Sequence, residues 1–322
     1  MSKCIANPLN ILIIYRRIYI RQIFLNIIII MAKNPKSLSY YSNFQVEKCI
    51  LFKQSSLILH VSFNLWEDSY KPSEGILKIS NLSNYDDFEA NNLKAASKLH
   101  PNFLVLFHDE KILNFHYYFM EYCKGSTLSN SSLINPSSTK INEYQLAYTI
   151  KSIIKGIRIL HSNGIAHRDI KLDNIFLTFD DHLEIGDFGF SKILTNSEHE
   201  TVACTLGYQS PQIEMKNMKR DCKKDDMWAF AVCLYKICSR SIGCKIIEKQ
   251  NYPKITDIQA TSKTEFENYQ LVNSLLIDDI IKVLIKTCLN FDEEKRADSE
   301  FVYLEMKKYC ENLYSNKKKV DM

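Results

Sequence analysis

Several patterns are missing from this 322-residue sequence, and each absence removes a class of function. None of the ten cysteines forms a Cys-x-x-Cys pair and no histidine cluster lies beside them, which removes the usual zinc-ligand spacings. Their irregular spacing in a chain of this length also argues against a disulfide framework, so free thiols in a reducing, cytoplasmic compartment are expected. Charge of one sign is not in excess. The 41 Lys and Arg against 37 Asp and Glu give a net charge of +4, too mild for a nucleic-acid binder. Internal repeats are absent. So is an uninterrupted membrane-length apolar run: residues 9–31 are rich in isoleucine but carry Arg16, Arg17 and Arg21. An arginine at the bilayer centre costs about 2.5–3.5 kcal/mol on insertion scales. Charges in the middle of that run do not suit a signal peptide either. Two readings of the segment stay open: a functionless extension ahead of a start at Met31, or an interfacial anchor within residues 5–31.

What is present supports a folded core, with 46% apolar and 24% charged residues. Between residues 44 and about 82, short apolar runs bounded by polar turns predict strands at 57–63 and 75–79. Residues 86–99 read as a helix, with Phe88, Leu93, Ala96 and Leu99 recurring on it. Strands are expected at 103–107 and 116–122. Residues 129–140, rich in Ser and Asn around Pro136, read as a surface loop. An amphipathic helix is expected over 141–163, with Tyr144, Ala147, Ile150, Ile154, Ile157 and Leu160 on one face and Gly164 after its end. Further helices are expected at 225–238 and 278–289. Strands plus one helix followed by helices alone predict an α+β, two-lobed domain over 44–314. Its divisions are a β-rich N-lobe at 44–122 and a helical C-lobe at 123–314. It is preceded by the extension at 1–43 and followed by a basic tail at 315–322, a solvated charge run.

The chemistry concentrates in two places. His167-Arg168-Asp169-Ile170-Lys171-Leu172-Asp173-Asn174 puts a carboxylate, a cation two residues on and an amide oxygen on one short loop. Asp187-Phe188-Gly189 follows, its carboxylate eighteen residues after Asp169. Phosphoryl transfer needs these groups: metal ions against phosphate charge, a cation on the phosphates, and a carboxylate to orient the attacking hydroxyl. A carboxylate and an amide oxygen suit hard Mg²⁺, which keeps several waters.

Both motifs resemble the catalytic loop and metal-binding motif of eukaryotic-type protein kinases of the serine/threonine branch. The resemblance implies that Asp169 is the catalytic base, that Lys171 contacts the transferred phosphoryl group, and that Asn174 and Asp187 hold Mg²⁺ with ATP. It extends over residues 44–313. Met120-Glu121-Tyr122-Cys123 resembles the hinge that binds adenine through its backbone, with Met120 as gatekeeper. Ile58, Ile76 and Phe176 join the nucleotide-binding set, Ile76 standing where the family usually has alanine. Thr205, opening Thr205-Leu206-Gly207-Tyr208, would hydrogen-bond Asp169 and Lys171. Asp226-Met227-Trp228 resembles the start of the buried helix that braces the catalytic loop. Arg296 resembles the arginine that meets the end of the activation segment, where Gln212 replaces the usual glutamate. Lys78 resembles the lysine of the α and β phosphates. Its helix partner is Glu89 or Asn91, which face different ways; Leu93 four residues beyond favours Glu89. Residues 51–57 contain no glycine where the family carries a glycine-rich loop. Thr201, ahead of the weaker candidates Ser197 and Thr195, would take an activating phosphate from another kinase or by autophosphorylation. The function implied is transfer of phosphate from ATP to protein Ser/Thr hydroxyls. The alternative is a pseudokinase that uses the fold as a binding module.

Overall fold

The computed structural model describes residues 44–52, 56–63, 73–81, 86–112, 114–124, 126–131, 143–178, 182–193, 205–217, 219–241 and 262–320. The N-terminal extension, the centre of the glycine-free segment at 53–55, and Thr195, Ser197 and Thr201 lie outside them. The chain divides into two compact units, residues 1–81 with 110–119, and residues 82–109 with 120–322.

The first unit is built on a sheet of five strands in the order β1-β2-β3-β5-β4. The strands are β1 (Phe44–Phe52), β2 (Ser56–Phe63), β3 (Glu74–Asn81), β4 (Leu106–Ile112), of which residues 110–112 belong to this unit, and β5 (Phe115–Met120), of which residues 115–119 do. β2 pairs antiparallel with β1 and with β3, setting Ile58 opposite Lys78 and Leu59 opposite Leu77. Successive strand residues point to opposite faces, which sorts the sequence. Leu57, Leu59, Val61, Leu77, Ile79, Tyr117 and Phe119 form one buried cluster. Ile58, Ile76 and Lys78 take the other face and are half-buried. Each large apolar side chain of the cluster stabilises the unit by about 1.5–3 kcal/mol relative to exposure. β1 slips register twice against β2, between Val46 and Lys48 and between Cys49 and Leu51.

The expected strand at 103–107 is displaced. β4 begins at Leu106, and Phe103 instead makes a bridge to Ile185, both residues lying within the second unit. Leu104 N donates to Ile185 O at 3.1 Å and Ile185 N to Asn102 O at 2.8 Å, so these backbone groups are taken before β4 starts.

In the second unit, helix α1 (Asp86–Leu99) spans the expected residues and packs against the 3-10 turn at Phe188–Phe190. α2 (Glu143–Ser162) buries Ala147, Ile150, Ile154, Ile157 and Leu160 as predicted. Tyr144 departs from that face: it is 39% exposed, and its hydroxyl donates to Leu313 O at 3.4 Å. After the four-residue α3 (Pro211–Glu214), α4 (Cys222–Ser241) is longer than expected. It buries Met227, Trp228, Phe230, Ala231, Cys233, Leu234 and Ile237, most of them within the apolar run 227–234 at its centre. α5 (Ser262–Asn273) and α6 (Asp279–Cys288) follow, α6 capped by Asp278, which accepts from Ile280 N at 2.8 Å. α7 (Ser299–Val320) packs along α2. Two short antiparallel pairs complete the unit: β6 (Ile165–Ala166) with β9 (Lys192–Ile193), and β7 (Ile175–Leu177) with β8 (Leu183–Ile185). An α+β division into a sheet unit and a helical unit is thus observed. No helix among the described residues is long and apolar enough to cross a membrane.

Candidate active site

α2 ends in a turn at Gly164, whose φ of 72° is the left-handed conformation that glycine adopts freely. β6 then delivers the chain to residues 167–174. That loop is held from below by α4. Asp226, 1% exposed, accepts from His167 N at 2.8 Å and Arg168 N at 2.7 Å. It also meets His161 Nε2 at 3.0 Å, while His161 Nδ1 lies 3.1 Å from Ser299 Oγ. His167 fixes the loop from within. Its Nδ1 accepts from Asp169 N at 3.3 Å, so Nε2 carries the proton donated to Gly186 O at 3.1 Å.

Four side chains converge on this support. Asp169 is 3% exposed. Its Oδ2 accepts from Lys171 Nζ at 2.6 Å and Asn174 Nδ2 at 3.0 Å, and its Oδ1 from the Thr205 hydroxyl at 2.6 Å. Lys171 Nζ also donates to Thr205 Oγ1 at 2.8 Å. Burial acts to raise the Asp169 pKa, but the hydrogen bonds from Lys171 and Thr205 and the lysine charge outweigh it and hold the carboxyl below its ordinary range. Asp169 is therefore a carboxylate at neutral pH, able to accept a hydrogen bond or a proton. Asn174 Nδ2 also donates to Asp169 O at 2.9 Å. With both amide hydrogens turned to Asp169, its oxygen is the atom left for a cation.

β8 leads from this group to Asp187. Gly186 N donates to Asn174 O at 3.0 Å. A Cβ at Gly186 would lie 2.9 Å from Phe176 Cε2 and 3.1 Å from Leu104 Cδ2, so a larger residue would have to push these side chains aside. Asp187 itself has φ 62° and ψ 71°, a conformation that non-glycine residues enter at a cost of about 1–3 kcal/mol. Phe188 is fully buried, edge-on to Phe103 at 6.1 Å and tilted against His167 at 4.9 Å. α1 presents Glu89, 8% exposed, to this segment, and Asn91 is exposed. Glu89 Oε2 lies 3.6 Å from where a Gly189 Cβ would stand, and Asn92 Nδ2 donates to Ser191 O at 2.7 Å. Lys78, in the first unit, has its ammonium 5.6 Å from the Tyr118 ring centroid.

Around residues 120–123, Met120 and Cys123 are buried and Glu121 and Tyr122 half-buried. Glu121 N donates to Val105 O at 2.9 Å. The Cys123 thiol donates to Glu184 Oε2 at 3.5 Å, and Glu184 sits across from the half-buried Phe176 on the β7–β8 pair. Burial pushes Glu184 up to about 7, with the Glu121 charge adding to it. Burial also raises Glu121 and the Cys123 thiol.

Beyond Thr205 the chain turns through Gly207, and the Tyr208 ring lies 3.7 Å from Lys236 Nζ. Ser210 donates to Asp225, which pairs with Arg220 at 2.8 Å. Burial pushes Asp225 up to about 6, partly offset by the Ser210 hydrogen bond and the Arg220 charge. Arg296 donates to Gln212 Oε1 at 2.7 Å, to Lys224 O at 2.9 Å and to Asn290 O at 3.0 Å. Gln212, standing where the family usually has glutamate, thus meets Arg296 through a hydrogen bond to its amide oxygen.

A family model described as "Protein kinase domain" matches residues 80–308, more than two thirds of the 322 residues. The chain belongs to the protein kinase family. It is 33% identical over 172 residues to Serine/threonine-protein kinase cds1 of Schizosaccharomyces pombe, covering 49% of this chain and 36% of that one. It is 28% identical over 166 residues to Serine/threonine-protein kinase Nek3 of Oryza sativa, covering 51% and 27%. It is 38% identical over 133 residues to human Mitogen-activated protein kinase kinase kinase 5, covering 40% and 9%. The chain thus matches little more than a third, at most, of the length of these relatives.

Within this kinase domain the structure joins Asp169, Lys171, Asn174 and Thr205 in one hydrogen-bonded group and brings Asp187 after it through Gly186. Lys78, Ile58 and Ile76 share one sheet face just ahead of the matched segment. No group of three or more His, Cys, Asp or Glu able to hold a metal ion occurs among the described residues. One carboxylate and one amide oxygen fit Mg²⁺ that takes its remaining ligands from water and phosphate. Sequence reasoning missed His161, Arg220 and Glu184, the last of which joins the expected hinge residues Glu121 and Cys123. No local pattern marks Arg220 or Glu184. A histidine on the buried face of α2, at a position where solvent would be preferred, was the one available signal.

Proposed function

We propose that this chain is a serine/threonine protein kinase that transfers the γ-phosphoryl group of ATP to hydroxyls of protein substrates. The observation that carries the proposal is the ionised Asp169, held by Lys171, Thr205 and Asn174 on a loop anchored to Asp226. Asp169 would orient the acceptor hydroxyl and take its proton, and Lys171 would meet the transferred phosphoryl group. Asn174 and Asp187 would hold Mg²⁺, which neutralises phosphate charge. Lys78 would contact the α and β phosphates, with Glu89 as its helix carboxylate. The backbone of Met120, Glu121, Tyr122 and Cys123 would bind adenine against Ile58, Ile76 and Phe176. A phosphate on Thr201 would act on Arg168. The test is phosphate transfer from ATP·Mg²⁺ to a protein substrate by the full chain. Asp169→Asn is expected to lower kcat by at least about 100-fold. Equal turnover by both proteins refutes the proposal.

A further inference from the structure

β5 places Tyr117 and Phe119 in the sheet's buried cluster. His116 and Tyr118 lie on its other face, because strand residues two apart share a side. That is the face of Ile58, Ile76 and Lys78. These three are only half-buried, yet Tyr118 is 0% exposed. The His116 and Tyr118 rings are stacked, with centroids 4.1 Å apart and planes 29° from parallel. The Lys78 ammonium stands 5.6 Å from the centroid of the Tyr118 ring. An aromatic face attracts a cation within about 6 Å, and more strongly where water is excluded. A lysine on a half-buried strand ordinarily carries its head outward to water on a flexible stem.

We propose that Tyr118 is a positioning residue for Lys78: its buried ring, backed by His116, holds the ammonium at one place on the sheet, ready for the phosphates of a nucleotide. This rests on the reading of Lys78 as a nucleotide-binding residue. The lysine is tethered before the ligand arrives, so less side-chain freedom is lost on binding. The device matters more in this chain because residues 51–57 contain no glycine. Glycines there would let backbone N–H groups approach the phosphates closely.

A double-mutant cycle on ATP·Mg²⁺ affinity, measured by titration calorimetry on the full chain, tests the proposal. Tyr118→Leu is expected to weaken binding about tenfold while Lys78 is present, and to add nothing in the Lys78→Met background. Tyr118→Phe keeps the ring face and is expected to bind within about twofold of wild type. Equal weakening in both backgrounds, or none in either, overturns the proposal. If the leucine variant fails to fold, Tyr118→Met, a flexible apolar filler, takes its place in the same cycle. Should Lys78→Met alone leave affinity unchanged, the nucleotide role of Lys78 falls as well. Should it weaken binding while the Tyr118 variants do not, only the positioning role falls.

Discussion

Replacing Glu184 with glutamine should flatten the pH dependence of stability. Glu184 is 6% exposed, receives the Cys123 thiol, and lies close enough to Glu121 to feel its charge. Its pKa rises from 4.5 to about 7 in the fold. The folded chain therefore binds this proton more tightly than the unfolded chain. The stabilisation that follows is complete below 4.5 and is lost as pH climbs through 7. At 1.36 kcal/mol per pH unit, the whole interval amounts to about 3 kcal/mol, and the part between pH 5.5 and full ionisation to about 2 kcal/mol. Glutamine keeps an oxygen for the thiol but cannot ionise. Relative to wild type, Glu184→Gln should gain about 2 kcal/mol between pH 5.5 and pH 8.5, or roughly 4–8 °C in Tm. Urea unfolding of both proteins at matched pH values measures it. Glu121 is present in both proteins, so the effect of its own burial cancels, while its coupling to Glu184 is part of the difference measured. Parallel pH profiles for wild type and variant would refute the burial argument.

Two further outcomes follow from the geometry. Gly186→Ala brings a Cβ to 2.9 Å from Phe176 and 3.1 Å from Leu104; the overpacking should destabilise by about 1–3 kcal/mol in urea unfolding. Thr205→Val removes the hydroxyl that bridges Asp169 and Lys171. Steady-state kinetics should show kcat reduced about tenfold to a hundredfold, with Thr205→Ser recovering most of it.

What the sequence made legible is what lies close together along the chain. Residues 167–174 carry their chemistry within one turn of backbone, and the structure folds them onto one another through Asp169, Lys171 and Asn174. α1 matches its expected bounds, with Ser83-Asn84 ahead of it in the sequence and His100-Pro101 directly after Leu99. The same helix shows the limit. Glu89 and Asn91 are two residues apart, and only burial against the 188–190 turn separates them. At residues 103–107 an apolar run resembles a strand, but a run does not name its partner, and Ile185 claims its first residues. Tyr144 fits the apolar repeat of α2 yet stands at its exposed edge, where its hydroxyl finds Leu313. Cys123 and Glu184 are 61 residues apart, and Tyr144 and Leu313 are 169 apart. Contacts at such separations are products of the packed fold and leave no local trace.

Asp226 has one more consequence. Two of the hydrogen bonds it accepts come from peptide groups, those of His167 and Arg168. Every amino acid except proline offers the same N–H at those positions. The anchor is therefore blind to the side chains it holds. A change at position 226 removes this fastening whatever side chains stand above it, whereas positions 167 and 168 are constrained separately, His167 by the hydrogen bonds of its ring and Arg168 by a φ of 67°. The fastening to α4 thus depends on a residue that does not belong to the loop.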